Sequence, residues 1–360
     1  MKQKRQFLNV EFLRFALIWA VVLFHIVYHN NAVLFGVDGL KMYFNRGWQA
    51  VPMFFLMAGF FLFLKPDFTQ SIGVFIKNKW LRFAPLVIAT TLLFWISSLF
   101  GLWKFNWTDN ILNMLLVKDF ATWPRWGQAV HPAWYLSELL MVSVIYFGLA
   151  KSLAKKYADI VIAVLAFIGL RVLVLDWGGV LPKYGTILMH YDMARAFFFV
   201  ASGYFLANAY KSLIFTRPPE NQGKAICYGI AEAVLLFFVM VSLYRQNSHY
   251  ATNKILLQIL FGVLFWLFLI KRGWLSQFLN KNWSAWLGRY AYAIFVVHIF
   301  VLDLARVAII PRCKDWVIAH NWLALGMICV AIMLLAMAGY HFVEVPVAKW
   351  IKRSKNEADK

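Results

Sequence analysis

The sequence predicts an all-α polytopic membrane protein of about ten transmembrane helices, with both termini in the cytosol. Three observations predict this. Hydrophobic residues make up 62% of the chain and charged residues 14%, and mean hydropathy is +0.65, whereas a soluble domain carries about 25% charged residues. Apolar stretches near the roughly 20 residues that cross a bilayer recur from end to end. The basic residues are also unevenly spread. With the N-terminus inside, 22 of the 36 Lys and Arg fall in cytosolic segments, 10 in outer loops and four inside helices. That is the positive-inside bias of an even number of spans. The net charge of +20 therefore reflects topology, with some attraction for anionic membrane lipid or an anionic cytosolic ligand. It does not point to nucleic acid.

The segments follow in order. The first, 10–29, comes after KQKR, contains Arg14 and is followed by no small-x-small cleavage site; it reads as a membrane helix rather than a signal peptide. The second, 48–64, is short and aromatic. KNKWLRFAP leads into the third, 83–103, and 104–132 reads as an ordered outer loop containing Pro124 and Pro132. HPAWYLSELL opens the fourth, 133–150. Segments 158–175 and 194–209 carry Arg171 and Arg195, and 225–244 and 254–270 follow. The ninth, 290–309, begins within LGRYAYAIFVVH, and the tenth is 322–343. Pro346 is expected to stop that helix, placing Glu344 near the cytosolic boundary. One transmembrane domain, 1–353, is expected, with 354–360 a charged cytosolic tail lacking regular structure. Cys227, Cys313 and Cys329 are isolated, with no CxxC or metal spacing.

The informative residues are the ionisable ones inside apolar helices, each costing about 2.5–3.5 kcal/mol when an Arg, Lys or Asp sits at mid-membrane. Eleven residues separate Arg14 from His25, which on a helix is about 1,100° and returns to within roughly 20° of one face, about 16 Å further along. Glu11 and His29 fall within about 60° of that stripe, and Glu11 can partly neutralise Arg14. His25 reads either as a hydrogen-bonded neutral imidazole or as a functional base. His25 and His29 stand at i, i+4, but no further ligands are evident, so no metal site is assigned. Lys77, Lys79 and Arg82 read either as positive-inside anchors or as a cradle for phosphates. Glu138 lies about a turn inside the fourth segment.

Taken in order, these motifs resemble the acyltransferase-3 family, bacterial integral-membrane acyltransferases that modify envelope glycans. Arg14 and His25 match its arginine–histidine spacing, and FFLMAGFFLF at 54–63 its short aromatic second helix. Lys79, Arg82 and Pro85 resemble its basic pair before the third helix. WYLSELLMVSVIY, FFFVASGYFLA, LGRYAYAIFVVHIFVL and VEVPVAKW resemble later blocks, the resemblance covering about residues 8–353. Phe12, Ala58 and Lys79 depart from the commoner glycine, serine and arginine.

The resemblance implies transfer of an acyl group, most simply acetyl, from cytosolic acyl-CoA to a hydroxyl of an envelope glycan or polyprenyl-linked sugar at the cytoplasmic (inner) membrane. His25 is the expected base, because an imidazole titrates near neutral pH. Arg14, Lys79 and Arg82 are expected on acetyl-CoA, and Glu138 and Tyr292 in orienting roles around His25 or the acceptor; no permanently bound cofactor is expected. The alternative is a secondary transporter or lipid-sugar exporter that uses the buried charges as a relay; ten helices permit a five-plus-five inverted repeat, and a match between 1–175 and 176–345 would favour it.

Overall fold

The computed structural model describes residues 7–34, 46–118, 129–177, 191–212, 222–244 and 251–358, and every regular element among them is helical. The helices are α1 (Leu8–Leu34), α2 (Ala50–Leu64), α3 (Ile72–Ser98), α4 (Trp107–Met114), α5 (Trp134–Ser152), α6 (Lys155–Trp177), α7 (Tyr191–Ser212) and α8 (Gln222–Tyr244). There follow α9 (Ala251–Ile270), α10 (Trp274–Leu279), α11 (Asn282–Gly288), α12 (Ala291–Leu304), α13 (Lys314–Ala319), α14 (Asn321–Gly339) and α15 (Val345–Ala358).

Each of the ten expected segments overlaps a helix, and eight candidate spans are long and apolar enough to cross a membrane; the third is shifted, since α3 starts at Ile72 and ends at Ser98, so that Lys77, Lys79 and Arg82 lie within it rather than before it. The protein is an all-α polytopic membrane protein. The two segments outside that set have evident reasons. The apolar part of α9, Lys254–Ile270, is short, and α7 carries Asp192, Arg195 and Lys211. Residues Asp192 and Arg195 form an ion pair within α7 that is almost wholly buried, and the Arg195 guanidinium also lies 4.8 Å from the centre of the Tyr191 ring. Neutralisation within one turn is what allows an arginine in this helix.

Two further expectations are corrected. Pro346 does not end the last long helix: a π-helical turn, Tyr340–Glu344, joins α14 to α15, which runs to Ala358. A proline ring clashes with the carbonyl four residues back, here Phe342 inside the wider turn. The π turn supplies the room. The segment expected to lack regular structure is therefore helical to Ala358.

The chain folds into two compact units that interleave in sequence. The first comprises Met1–Val21, Met42–Thr69 and Val142–Arg289. At its centre α2 crosses α7. A Cβ added to Gly59 would lie 2.3 Å from the Val200 carbonyl oxygen, and one added to Gly203 would lie 2.3 Å from that of Leu56. Absence of side chains at these two positions lets the backbones touch, the packing mode favoured in membranes where hydrophobicity cannot drive helices together. Tyr146 adds a buried hydroxyl donated to the Phe197 carbonyl at 2.8 Å. The start of α1 is fixed by Asn9, whose amide donates to the Phe268 carbonyl at 2.7 Å. Glu232 on α8 accepts from the Gly273 and Ser276 amides at 3.2 and 2.8 Å, tying down the turn into α10.

The second unit comprises Val22–Lys41, Gln70–Met141 and Tyr290–Lys360. In it α12 packs against α3 and α14, with Phe94 and Phe300 meeting edge to face at 5.1 Å. Helix α4, within the expected outer loop, is inverted relative to a soluble helix. Asn110 and Asn113 are buried, while Trp107, Ile111 and Leu115 along one side are about half exposed. The buried asparagines hold the chain that leads into α5. Asn110 accepts from the Ala129 amide at 2.8 Å, and Asn113 donates to the Val130 carbonyl at 3.2 Å. Lys118, buried, pairs with Asp109 at 2.6 Å, and Ser137 of α5 donates to the Leu116 carbonyl at 2.9 Å.

Candidate functional site

Two groups of ionisable side chains lie in the second unit, and α12 contributes to both. The first centres on two imidazoles. His25, half-buried on α1, and His298, fully buried on α12, face each other with ring centroids 5.2 Å apart and planes inclined at 48°. The Nδ1 of His298 lies 3.1 Å from the Ile294 carbonyl, one turn back. A carbonyl accepts only, so Nδ1 carries the proton in that contact and the lone pair of a neutral ring resides on Nε2. Phe24 meets the ring of His25 at 5.1 Å, and Phe295 that of His298 at 6.4 Å. Tyr135 of α5 in turn packs on Phe295 at 5.5 Å. Glu138, wholly buried, stands one turn beyond Tyr135 on α5. The first turn of α5 is thus held between the α4 network and the aromatic contact with α12.

The second group lies about 9 Å away along α12, six residues back at 1.5 Å each. Tyr292 donates its hydroxyl to the Phe83 carbonyl of α3 at 2.5 Å, and the Phe83 and Tyr292 rings are 5.4 Å apart. Arg82, exposed, lies over the Phe83 ring at 5.4 Å, and its charge is felt by Tyr292, Glu344 and Lys79. Lys79 is half-buried and sits over Phe75 at 5.6 Å; Lys77 is exposed. Pro85, inside α3, frees the Leu81 carbonyl of an intrahelical donor at this point. Tyr290 adds a contact of 3.4 Å to His341. Cations, a carboxylate and a phenol therefore converge at the start of α12, on the side expected to be cytosolic.

Of the residues singled out in the sequence, His25, Lys79, Arg82, Glu138 and Tyr292 belong to this unit. Tyr292 stands with the basic group, its hydroxyl committed to α3. Arg14 belongs to the first unit, where Glu11 pairs with it at 2.9 Å and its guanidinium lies 4.9 Å from the Phe61 ring centre. The side chain of His29 lies outside the described residues. His298 was visible in LGRYAYAIFVVH but given no role. The signal was present, because an imidazole in AYAIFVVHIFVL carries the same desolvation cost that singled out His25. Among the described residues no group of three or more His, Cys, Asp or Glu side chains is close enough to hold a metal ion.

A family model described as an acyltransferase domain matches residues 7–341 of the 360. The chain belongs to the acyltransferase-3 family. No curated protein and no solved structure matched it in the other two comparisons. The protein is therefore a membrane acyltransferase, and all the residues of both groups except Glu344 fall within the matched span.

Proposed function

We propose that this membrane acyltransferase moves an acyl group, most simply acetyl, from acyl-CoA to a hydroxyl of an envelope glycan or polyprenyl-linked sugar at the inner membrane, with both termini cytosolic. The observation that carries this reading is the His25–His298 pair, a half-buried imidazole against a fully buried one in the unit that also holds the exposed Arg82. His25, partly accessible, takes the proton of the acceptor hydroxyl as its oxygen attacks the thioester carbonyl. The tetrahedral intermediate then collapses, the carbon–sulfur bond breaks, and the CoA thiolate leaves with the proton returned from the imidazolium. His298, its Nδ1 committed to Ile294, offers Nε2 toward this chemistry and positions His25. Glu138 orients the pair from α5.

Arg82 and Lys79 are suited to the CoA phosphates, the one as a bidentate fork and the other as a point charge. Tyr292 braces α3 against α12 so that both cations keep their places. The assignment of Arg14 to the donor rests on the family pattern alone. An extended pantetheine arm suits the separation of the basic group from the histidine pair along α12.

The experiment is release of free CoA thiol from acetyl-CoA by detergent-purified protein, compared with His25→Ala. Wild type should turn over in the presence of a suitable acceptor, and His25→Ala should bind acetyl-CoA, insert and express normally without turnover. Turnover retained in His25→Ala rejects the assigned base. Absence of acetyl-CoA binding in both rejects the donor.

A further inference from the structure

A cavity of about 220 Å³ lies in the first unit, whereas both groups described above belong to the second. Its apolar wall comes from Phe63 at the end of α2, Pro66 and Phe68 beyond it, and Ala158 of α6. Its polar wall comes from Lys155 at the start of α6 and from Tyr204, Asn208 and Lys211 in the last turns of α7. These helix ends are on the side expected to be cytosolic, so the cavity falls at the level of lipid head groups.

The charges around it do not balance. Lys155 pairs with Asp159 at 2.6 Å, and the other oxygen of Asp159 accepts the Tyr204 hydroxyl at 2.6 Å. Asp159 is thereby fully used. Lys211 has no carboxylate partner among the described residues, and burial together with the neighbouring Lys155 ammonium pushes its pKa down. Of the two lysines that line the cavity, Lys211 is thus the one with no carboxylate partner among the described residues, and the cavity is apolar on its other side. Sites that bury whole drug-sized ligands run to about 300–1,000 Å³, so this one suits a head group and not a nucleotide.

We propose that this cavity is a binding site for the phosphodiester of an anionic glycerophospholipid, with Lys155 and Lys211 on the phosphate and the Phe63–Phe68 wall against the glycerol and first methylenes. A phosphodiester carries a single negative charge, matching the one left over, and its attached chains match the apolar wall. A free inorganic phosphate would satisfy the lysines and leave that wall without a function. The proposal is independent of the acyl-CoA reading, and its readout contains no turnover.

The test measures binding of dioleoyl-phosphatidylglycerol to the detergent-purified full chain by native mass spectrometry, with phosphatidylcholine and inorganic phosphate as the other arms. Two variants are compared: Lys211→Gln, and Lys156→Gln, which removes the same charge from an exposed neighbour that does not line the cavity. Wild type should bind phosphatidylglycerol and not phosphatidylcholine. Lys211→Gln should weaken binding about fivefold, which is roughly 1 kcal/mol per basic residue near an anionic surface, while Lys156→Gln binds as wild type. Melting of both variants without lipid, unchanged from wild type, excludes a folding defect. Equal weakening by the two variants, or no weakening by Lys211→Gln, overturns the site. Displacement of the lipid by millimolar phosphate overturns the lipid and assigns the cavity to a free anion.

Discussion

Gly203→Ala should be among the most damaging single-methyl substitutions in this protein. The added Cβ would stand 2.3 Å from the Leu56 carbonyl oxygen, 2.5 Å from the Phe60 nitrogen and 2.8 Å from the Gly59 carbonyl carbon. All three are backbone atoms, so no side chain can rotate away, and α2 and α7 must separate by about 1 Å to restore ordinary contact distances. Overpacking of this kind costs about 1–3 kcal/mol, and a clash with backbone alone places Gly203 at the upper end. For a protein of this size that corresponds to a fall in melting temperature of about 4 °C. The assay is thermal unfolding in detergent, followed by size-exclusion of the surviving monodisperse fraction. Gly262→Ala is the comparison, because nothing lies within 4 Å of its added Cβ; there alanine should gain up to about 1 kcal/mol of helix propensity. The double variant Gly59→Ala/Gly203→Ala should lose less than the sum of the two, since the first separation already relieves the second. If Gly203→Ala melts with wild type, or Gly203→Ala and Gly262→Ala behave alike, the account of the α2–α7 crossing is wrong.

Other substitutions probe the second unit. His298→Leu should lower kcat about a hundredfold at unchanged donor KM, and His298→Gln, whose oxygen can stand in for Nε2, should recover part of it. Equal losses in both would leave His298 a packing residue. Arg82→Ala should raise the donor KM at least about tenfold, the loss of a charge-assisted hydrogen bond, with kcat little altered; an unchanged KM removes it from the donor site. Asp109→Asn removes the carboxylate that pairs with buried Lys118 at 2.6 Å and should cost about 3 kcal/mol, read as a lower melting temperature, and a melting curve like that of wild type would refute the pairing.

The helices were legible in the sequence because hydropathy over some 20 residues is a strong signal that tertiary packing rarely overrides. Less legible were features that depend on what a residue meets. Gly59 and Gly203 belonged to two separate aromatic motifs, and only the structure shows that each glycine is the space the other helix occupies. Pro346 was read with the geometry of an ideal helix, which a single π turn sets aside. The charges of KRSKNEADK suggested a tail without regular structure, yet Ile351 continues the less exposed face begun by Val347 and carries the helix onward. Of the candidate site, His25 stood out through its spacing from Arg14. His298 did not, because a lone histidine near the end of a motif has no partner in sequence, only in space.

Helix α4 has a consequence beyond the loop it belongs to. A helix that hides its asparagines and shows tryptophan, isoleucine and leucine behaves as a float. In the steep polarity gradient of a bilayer interface such a body has one preferred depth, because rising wets its greasy side and sinking buries its polar flanks. Asn110 and Asn113 tie it to Ala129 and Val130 ahead of α5, and the Leu116 carbonyl just past its end takes the hydroxyl of Ser137 in the first turn of α5. Glu138, the residue after Ser137, is thus tied through α4 to the waterline of the membrane as well as to the protein.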